Sequence, residues 1–272
     1  MAATPQRQRR REATAALTRL LRSAWPPVLA LAVIVVAWDL AANAAHASLS
    51  FPGPWYVVTN TWRDRANLAP AMWATSKEAV LGIAVAVLCA VLLAVAIDWS
   101  RAVRRSLYPL VVITQTIPII ALAPLVVIWF GFGAAPKIVL VALFTFFAVA
   151  VGTIQGLGSA DLDTMNLLRT MGASRRQILL HVRLPSALPQ FFTGLKVSIT
   201  FAFASAIFAE YVGATQGLGY YMSVASQYGN ADLVFGAVIV TAVLTLILFG
   251  LVAALEHAVI RWRPPGETDT SW

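Results

Sequence analysis

The chain has 272 residues, of which 59% are hydrophobic and 12% are charged, and its mean hydropathy is +0.76. Soluble domains carry about a quarter of charged residues, so this composition excludes an ordinary water-soluble enzyme. The formal net charge of +8 comes from basic residues at the edges of long apolar blocks, which favours a membrane over nucleic acid as the acidic partner. Cys89 is the single cysteine, so the chain forms no intramolecular disulfide.

Six apolar segments are long enough to be membrane-spanning helices, since a span needs about 20 residues to cross a hydrocarbon layer about 30 Å thick. In chain order, the predicted spans cover residues 25–47, 77–97, 106–131, 137–158, 189–211 and 233–257. The first contains Asp39, and the fifth contains Lys196 and Glu210 near its two ends. The predicted fold class is an all-α polytopic membrane protein whose transmembrane domain occupies residues 25–263.

The predicted domain is flanked by an arginine-rich arm at residues 1–24 and a tail at residues 264–272. The arm lacks a strong signal-peptide cleavage pattern, so we expect it to be retained and to be flexible or to lie on the membrane surface. Between the first two spans, residues 46–76 mix turn-forming residues with tryptophans. This mixture predicts an interfacial segment with turns rather than a separate domain.

The distribution of Lys and Arg predicts the orientation of the chain in the membrane. Six spans place both termini on one side, and that side carries fifteen of the twenty basic residues. Four others fall on the opposite side, among them Lys137, and Lys196 lies near the inner end of the fifth span. Because short cytoplasmic loops collect Lys and Arg, both termini are predicted to be cytoplasmic.

The connection between the fourth and fifth spans, residues 159–188, differs from the other connections in its length and pattern. Carboxylates come first, then apolar residues at a spacing of three, then a glycine and two arginines. The residues in question are Asp161, Asp163, Leu162, Met165, Leu168, Met171, Gly172, Arg175 and Arg176. Acidic residues near a helix start and basic residues near its end suit the helix dipole. The pattern predicts short amphipathic helices with one apolar stripe, broken at Gly172 and stopped at Pro185.

The residues alone leave two interpretations of this loop open. It is either an amphipathic linker on the inner leaflet, with its arginines facing anionic lipid, or a docking element for a soluble protein.

The loop resembles the cytoplasmic motif of ABC-importer permeases, which is written Glu-Ala-Ala, three residues, Gly, nine residues, Ile, one residue, Leu-Pro. Gly172-Ala173-Ser174 is present, and nine residues separate Gly172 from Val182-Arg183-Leu184-Pro185. Asn166-Leu167-Leu168 stands in place of Glu-Ala-Ala, so contacts of that glutamate are not carried over.

Further segments resemble the nitrate, sulfonate, taurine and thiamine-precursor branch of these permeases. The similarity runs from about Phe51 to Arg263. It is carried by Pro118 to Leu125, Trp129 to Gly133, Lys137-Ile138, Leu184 to Pro189, Gly194-Leu195, Ala209-Glu210 and Gly217 to Gly219. Several such segments in the same order are more specific than the loop motif alone.

The resemblance implies a type I ABC importer permease in the bacterial cytoplasmic membrane. Its partners would be a pair of ABC ATPase subunits, a second permease copy in a homodimer, an extracytoplasmic solute-binding protein and membrane lipid. The loop would form the coupling helix that inserts into the ATPase. The residues assigned to this contact are Leu168, Met171, Gly172, Ala173, Ser174, Arg175, Arg176, Val182, Leu184 and Pro185.

No catalytic constellation is recognisable in the sequence. A Gly-x-x-x-x-Gly-Lys-Ser/Thr phosphate loop is missing, so we expect ATP hydrolysis on a separate subunit and no cofactor on this chain. His46, His181 and His257 are scattered over predicted outer and inner positions, and we expect no metal site.

Polar residues inside the spans are candidates for the solute path, because burying them against lipid is costly. Gln115, Thr116, Pro118 and Glu210 are the predicted path or gate residues. Glu210 has three open roles, since it could cap a helix, pair with another residue or line a gate. Pro118 and Pro124, with Gly131 and Gly133, predict a bent third span.

Two other classes of function compete with the importer. A gradient-driven secondary transporter or channel would favour paired ionisable residues at mid-membrane and repeated halves, neither of which is evident in the sequence. A membrane scaffold or enzyme would need a constellation that the sequence does not supply. Sulfonates, taurine, nitrate, bicarbonate and thiamine-precursor pyrimidines all remain possible solutes.

Overall fold

The computed structural model describes residues 25–26, 28–44, 51–99, 103, 105–107, 109, 113 and 118–261. The principal helices are α1 (Val28–Ala44), α2 (Pro54–Arg63), α3 (Arg65–Trp99), α4 (Ile119–Phe130), α5 (Ala134–Gly158), α6 (Leu162–Thr170), α7 (Arg175–Gly213), α8 (Leu218–Gln227) and α9 (Ala231–Val259). The described residues form no β-strand, and the all-α polytopic fold class is confirmed. The predicted arm at 1–24 and tail at 264–272 lie outside the described residues.

Four helices, α3, α5, α7 and α9, are long and apolar enough to cross a membrane. They coincide with the predicted second, fourth, fifth and sixth spans. At the first and third spans the described apolar helices are shorter, at Val28–Ala44 and Ala121–Phe130. Much of the predicted third span, including residues 114–117, lies outside the described part of the chain.

The segment between the first two spans is more helical than predicted. Pro54 occupies the first turn of α2, where a missing N–H removes no helical hydrogen bond. Helix α3 begins at Arg65, twelve residues before the predicted start of the second span, and continues through Pro70. The segment is thus largely helical, and its interfacial position stays a prediction.

Pro185 does not stop a helix, contrary to the prediction. The backbone passes from Arg175–Ile178 through a π-helical turn at Leu179–Arg183 into the long helical part Leu184–Gly213. Pro185 lies at the start of that last part, directly after the wider turn, and proline is tolerated in the first turn of a helical segment. The second half of this loop, from Arg175, and the fifth span are thus parts of one continuous helix, α7.

Small residues set the packing of the central helices. Helix α3 buries Gly82, Ala86, Ala90 and Ala94 at intervals of four, which places them on one face. A Cβ atom on Gly82 would lie 2.5 Å from Val141 of α5. The most extensive helix pairs are α5 with α7 and α3 with α5, so α5 is central to the bundle.

The bundle has two distinct ends. Helix α6 and the start of α7 lie at one, which we call the loop end. Helices α2 and α8 lie at the opposite end, where Asn60 of α2 donates a hydrogen bond to Asp232 of α9 at 2.8 Å. Helix α9 exposes apolar side chains over much of its length, as expected of a lipid-facing helix.

Candidate functional site

The loop end contains a sharp turn between α6 and α7, and its geometry explains Gly172. The N–H of Ala173 donates to the carbonyl of Leu168 at 2.9 Å, and the N–H of Gly172 donates to the carbonyl of Arg169 at 3.0 Å. These two bonds are the Schellman arrangement, which requires a left-handed residue after the helix. Gly172 has φ +83°, a region that side chains oppose. The predicted break at Gly172 is confirmed.

Both helices at this turn have side-chain caps. The carboxylate of Asp161 accepts the N–H of Thr164 at 3.0 Å at the start of α6. Hydrogen bonds from Thr164 and Asp163 hold the pKa of Asp161 below its usual value. Ser174 and Gln177 form a reciprocal capping box at the start of α7. Local hydrogen bonds therefore define both helix ends flanking Gly172.

The loop has its own small core and an exposed apolar tip. Met165 and Ile178 are buried together with Ala160, and Leu168 packs partly against them. Met171 and Leu167 are 74% and 61% exposed. The predicted apolar stripe is therefore wrong as a single face: it divides between an inner part that packs the loop and an outer part that is free to contact another surface.

Arg175 and Arg176 lie in the first turn of α7 rather than at the end of a helix. The predicted match of these arginines to the helix dipole is wrong, because a positive charge at a helix start is unfavourable. Both side chains are exposed. Their positions at the tip fit contact with an acidic surface better than a role in stabilising the helix.

An ion pair attaches the loop to the end of α3. The guanidinium of Arg183, in the π-helical turn, donates to both carboxylate oxygens of Asp98. Val182 and Leu184, on either side of Arg183, are half-buried, as is Pro185. Asp98 was not predicted as a site residue. Its partner, Arg183, lies far away in the sequence, and local patterns do not reveal such a pair. A lone acidic residue at the end of a charge-free window is the signal that marks it.

At the opposite end, Glu210 is buried and hydrogen-bonded to two other elements. It is 1% exposed. Thr75 of α3 donates its hydroxyl to Oε1 at 2.7 Å, and the N–H of Gly219 donates to Oε2 at 2.6 Å. The N–H of Leu218 donates in turn to Thr75 Oγ1 at 2.8 Å. Glu210 therefore acts as a cap for the start of α8, supplied by another helix.

The glycines of the Gly217-Leu218-Gly219 segment leave room for that carboxylate. A Cβ atom on Gly217 would lie 2.1 Å from Oε1 of Glu210, and Gly217 has φ +115°. A Cβ atom on Gly219 would lie 2.3 Å from the carbonyl of Ile207. The glycines and Glu210 form one structural unit, although eight residues separate Glu210 from Gly219.

A second ion pair lies beside this unit. Lys137 Nζ contacts Glu78 Oε1 at 2.6 Å, and the two residues are 4% and 2% exposed. Glu78 and Glu210 also interact electrostatically. The pairing of Lys137 with Glu78 was not predicted from the sequence. The pair lies at the opposite-end half of the bundle, since Lys137 is in the first turn of α5.

The other predicted path residues are only partly described. Gln115 and Thr116 lie outside the described residues. Pro118 is exposed and has an extended backbone, immediately before the first residue of α4. It therefore lies at the N-terminal end of α4, whereas Pro124 lies inside this helix. Gly131 and Gly133 have positive φ and form the turn into α5.

Among the residues that the structure describes, no group of His, Cys, Asp or Glu is arranged to hold a metal ion. Most of the buried polar groups at the two ends have partners that position helices, whereas Glu78 Oε2 and Arg183 Nε have no hydrogen-bond partner among the described residues.

Comparison with known proteins identifies the family. The model of the binding-protein-dependent transport system inner membrane component matches residues 82–261. The formylaminopyrimidine transport permease ThiX of Halalkalibacterium halodurans is 33% identical over 242 residues, which cover 87% of this chain and 95% of ThiX. The taurine transport permease TauC of Escherichia coli is 29% identical over 261 residues, covering 90% and 95%.

The fold agrees with this similarity. One chain of an inward-facing MetNI methionine ABC transporter superposes with a TM-score of 0.64 at 20% identity, over 72% of this chain and 98% of that one. This chain belongs to the binding-protein-dependent transport system inner membrane component family, and it is the multi-pass permease subunit of an ABC importer.

Proposed function

We propose that this permease transports its solute as a homodimer driven by two copies of a separate ABC ATPase, with the loop end as the ATPase-docking surface. A solute-binding protein delivers the solute to the opposite end. Both termini are cytoplasmic in this arrangement, which places the arginine-rich loop end on the cytoplasmic side.

One observation carries the proposal: the loop is rigid in itself and is firmly attached to the bundle. Caps fix both helices at Gly172, the loop has a buried core, and Arg183 holds it to Asp98. Its far side presents Met171 and Leu167 together with Arg175 and Arg176. A rigid element with an exposed tip transmits displacement, as coupling to nucleotide-driven closure requires.

Continuity of α7 supports the same function. The exposed tip and the fifth span belong to one helix, interrupted only by the π-helical turn at Leu179–Arg183. A push on Arg175 or Arg176 therefore acts directly on a membrane-spanning segment. Ala173 and Ser174 are small and sit at the turn itself, where they permit close approach of a partner.

The solute path runs between the two permease copies, because one bundle of this size has little room for a central aqueous passage. Gln115, Thr116 and Pro118 are assigned to that path. Glu210 is assigned to positioning α8 at the delivery end of the path. The relatives are named for formylaminopyrimidine, taurine and aliphatic sulfonates, and we propose a small solute within this range.

Site-specific crosslinking tests the docking assignment. In a Cys89→Ser background, Met171→Cys is expected to crosslink to a co-purified ATPase subunit in membranes from the native host. The matched control is Leu246→Cys, because Leu246 is also highly exposed but lies on α9. Crosslinking from Leu246 alone, or purification of a homo-oligomer with no ATPase after crosslinking, would overturn the proposal and favour a gradient-driven transporter.

A further inference from the structure

Three helices bring two carboxyl groups and one ammonium group together inside the end of the bundle opposite the loop. Glu78 of α3 and Glu210 of α7 are 2% and 1% exposed, and Lys137 of α5 is 4% exposed. Lys137 Nζ contacts Glu78 Oε1 at 2.6 Å. The carboxyl groups of Glu78 and Glu210 lie within hydrogen-bond reach of each other. The three side chains therefore form one buried cluster.

The charges of this cluster do not balance when both carboxyl groups are ionised. Two carboxylates and one ammonium carry a net charge of −1, and an unbalanced buried charge is far more costly than a balanced pair. Lys77 is the other cation that acts on Glu78, but its side chain is exposed and therefore hydrated. Helix α8, which packs against the cluster, contains no Asp, Glu, Lys or Arg. The cluster thus lacks one buried positive charge.

The hydrogen bonds of the cluster are also incomplete. Glu210 accepts the Thr75 hydroxyl and the N–H of Gly219, as described above. Glu78 Oε2 is buried and has no donor among the described residues. Ionised carboxylates are acceptors only, so Glu78 and Glu210 cannot bond to each other unless a proton lies between them. One proton therefore supplies both the missing charge and the missing donor.

The space around Glu210 restricts the occupant to something very small. A Cβ atom on Gly217 would lie 2.1 Å from Glu210 Oε1, and one on Gly219 would lie 2.8 Å from the Cβ of Glu210. The backbone at the start of α8 thus encloses this carboxyl group. A metal cation needs several oxygen ligands at about 2 Å or more, and here it would also lie close to the ammonium of Lys137. A proton needs no cavity.

We propose that Glu78 and Glu210 hold one proton between them, as a carboxylic acid that is hydrogen-bonded to a carboxylate. Carboxyl groups held in contact share a proton because two like charges at this distance repel each other strongly. The ammonium of Lys137 neutralises the charge that remains. Loss of the proton leaves a net negative charge where Glu210 caps α8. The proton makes the stability of this end of the bundle depend on pH, whatever solute is transported and whichever ATPase is bound.

The direction of the pH dependence follows from counting protons. A glutamate side chain in the unfolded chain is ionised at about pH 6 to 8, so unfolding releases the shared proton. The folded state then binds one proton more than the unfolded state, and stability falls as the pH rises. One proton corresponds to about a tenfold rise in the unfolding equilibrium constant for each pH unit.

Chemical denaturation of the full chain in detergent, repeated at several pH values between about 6 and 8, tests the shared proton. Glu78→Gln and Glu210→Gln each replace one carboxyl group by an amide, which donates a hydrogen bond without titrating. Relative to each variant, the unfolding constant of the wild type is expected to rise about tenfold per pH unit. The matched control is Glu256→Gln, because Glu256 has its own partner, Lys196, at 3.0 Å outside the cluster. It is expected to follow the pH dependence of the wild type.

Infrared difference spectra at neutral pH provide a second readout, and two variants keep the test usable if one of them fails to fold. Wild type minus either glutamine variant should show the carbonyl stretch of a protonated carboxyl group, with a shift in D2O. No such band, or the same pH dependence of unfolding in the wild type and the glutamine variants, would overturn the shared proton. Stabilisation of the wild type alone by NaCl, compared with choline chloride at equal ionic strength, would assign the site to a metal cation and overturn it too.

Discussion

Arg183 in the π-helical turn of α7 forms a two-oxygen ion pair with Asp98 at the end of α3, and both side chains are largely removed from solvent. The pair joins the loop between α5 and α7 to a second membrane-spanning helix. A displacement of the loop therefore acts on α3 as well as on α7. Because the groups are partly buried, the loss of one partner leaves an unpaired charge rather than a hydrated one.

Charge reversal tests this connection. Arg183→Asp and Asp98→Arg are each expected to reduce uptake strongly, because each places two like charges side by side. The double exchange is expected to recover a substantial part of the activity, since it restores an attractive pair at the same place. ATP-dependent uptake in proteoliposomes is the measurement. A double variant no better than either single variant would show that the pair does not link the two helices.

The backbone conformation of Gly172 is expected to determine which replacement residues are tolerated at this position. Among the described residues beyond its chain neighbours, no atom lies within 4 Å of a Cβ atom built on it, so the cost is the left-handed conformation, about 1–2 kcal/mol for an ordinary residue. Asn should be accepted best, Ala less well and Val least in their effect on stability. Gly172→Leu should in addition abolish uptake or assembly while insertion stays intact, because it places a bulky side chain at the proposed ATPase-docking surface. Uptake and membrane insertion are measured together. Normal uptake in Gly172→Leu would remove the loop from the mechanism.

Glu210 is expected to matter for stability through the two donors that it accepts. Glu210→Ala leaves the Gly219 N–H without its acceptor inside the protein, at about 1–3 kcal/mol, whereas the Thr75 hydroxyl still has the carbonyl of Ala71 at 3.2 Å as an acceptor. Glu210→Gln retains one acceptor oxygen and should be less damaging. The thermal unfolding temperature of the detergent-solubilised protein reports the difference. Equal temperatures for wild type and Glu210→Ala would contradict the capping role.

For the buried pair of Lys137 and Glu78, we expect a single substitution to be more destabilising than the substitution of both residues. Lys137→Met removes one partner and is expected to destabilise the fold by about 3–5 kcal/mol, because Glu78 is then buried without a counter-charge. Adding Glu78→Leu should recover much of that loss. Chemical denaturation in detergent compares the single and double variants. A double variant that is less stable than Lys137→Met would mean that the pair does more than neutralise charge.

The crossing of α5 and α7 should be sensitive to a single methyl group. A Cβ atom on Gly194 would lie 2.4 Å from the carbonyl of Ala148, so Gly194→Ala is expected to cost about 1–3 kcal/mol by overpacking. Gly250 of α9 is the matched control, because no atom of another described helix lies within 4 Å of its Cβ position. Thermal unfolding of both alanine variants tests the contrast. Equal losses in the two would exclude close packing as the reason for Gly194.

The sequence predicted the class of the protein and the position of the loop because those features depend on local patterns. A charge-free run of about 20 residues has few stable alternatives to a membrane helix, so α3, α5 and α9 were recognisable from composition alone. Gly172 was identifiable as a break because the residues around it fit two helices and a turn. Short-range backbone geometry carries this information.

Contacts between distant residues depended on the tertiary structure. Glu78 pairs with Lys137, and Asp98 pairs with Arg183, across 59 and 85 positions of sequence. Nothing local distinguishes a charge that is buried and paired from one at a membrane surface, which is why the pairing of Lys137 was not predicted. The helical path through Pro185 was also unpredictable, since it depends on a π-helical turn whose surroundings are supplied by other helices. The class of the protein follows from the sequence, because a membrane requires long apolar helices. Helix packing alone decided which polar groups are satisfied and which, like Gln155 and Gln190, face outward.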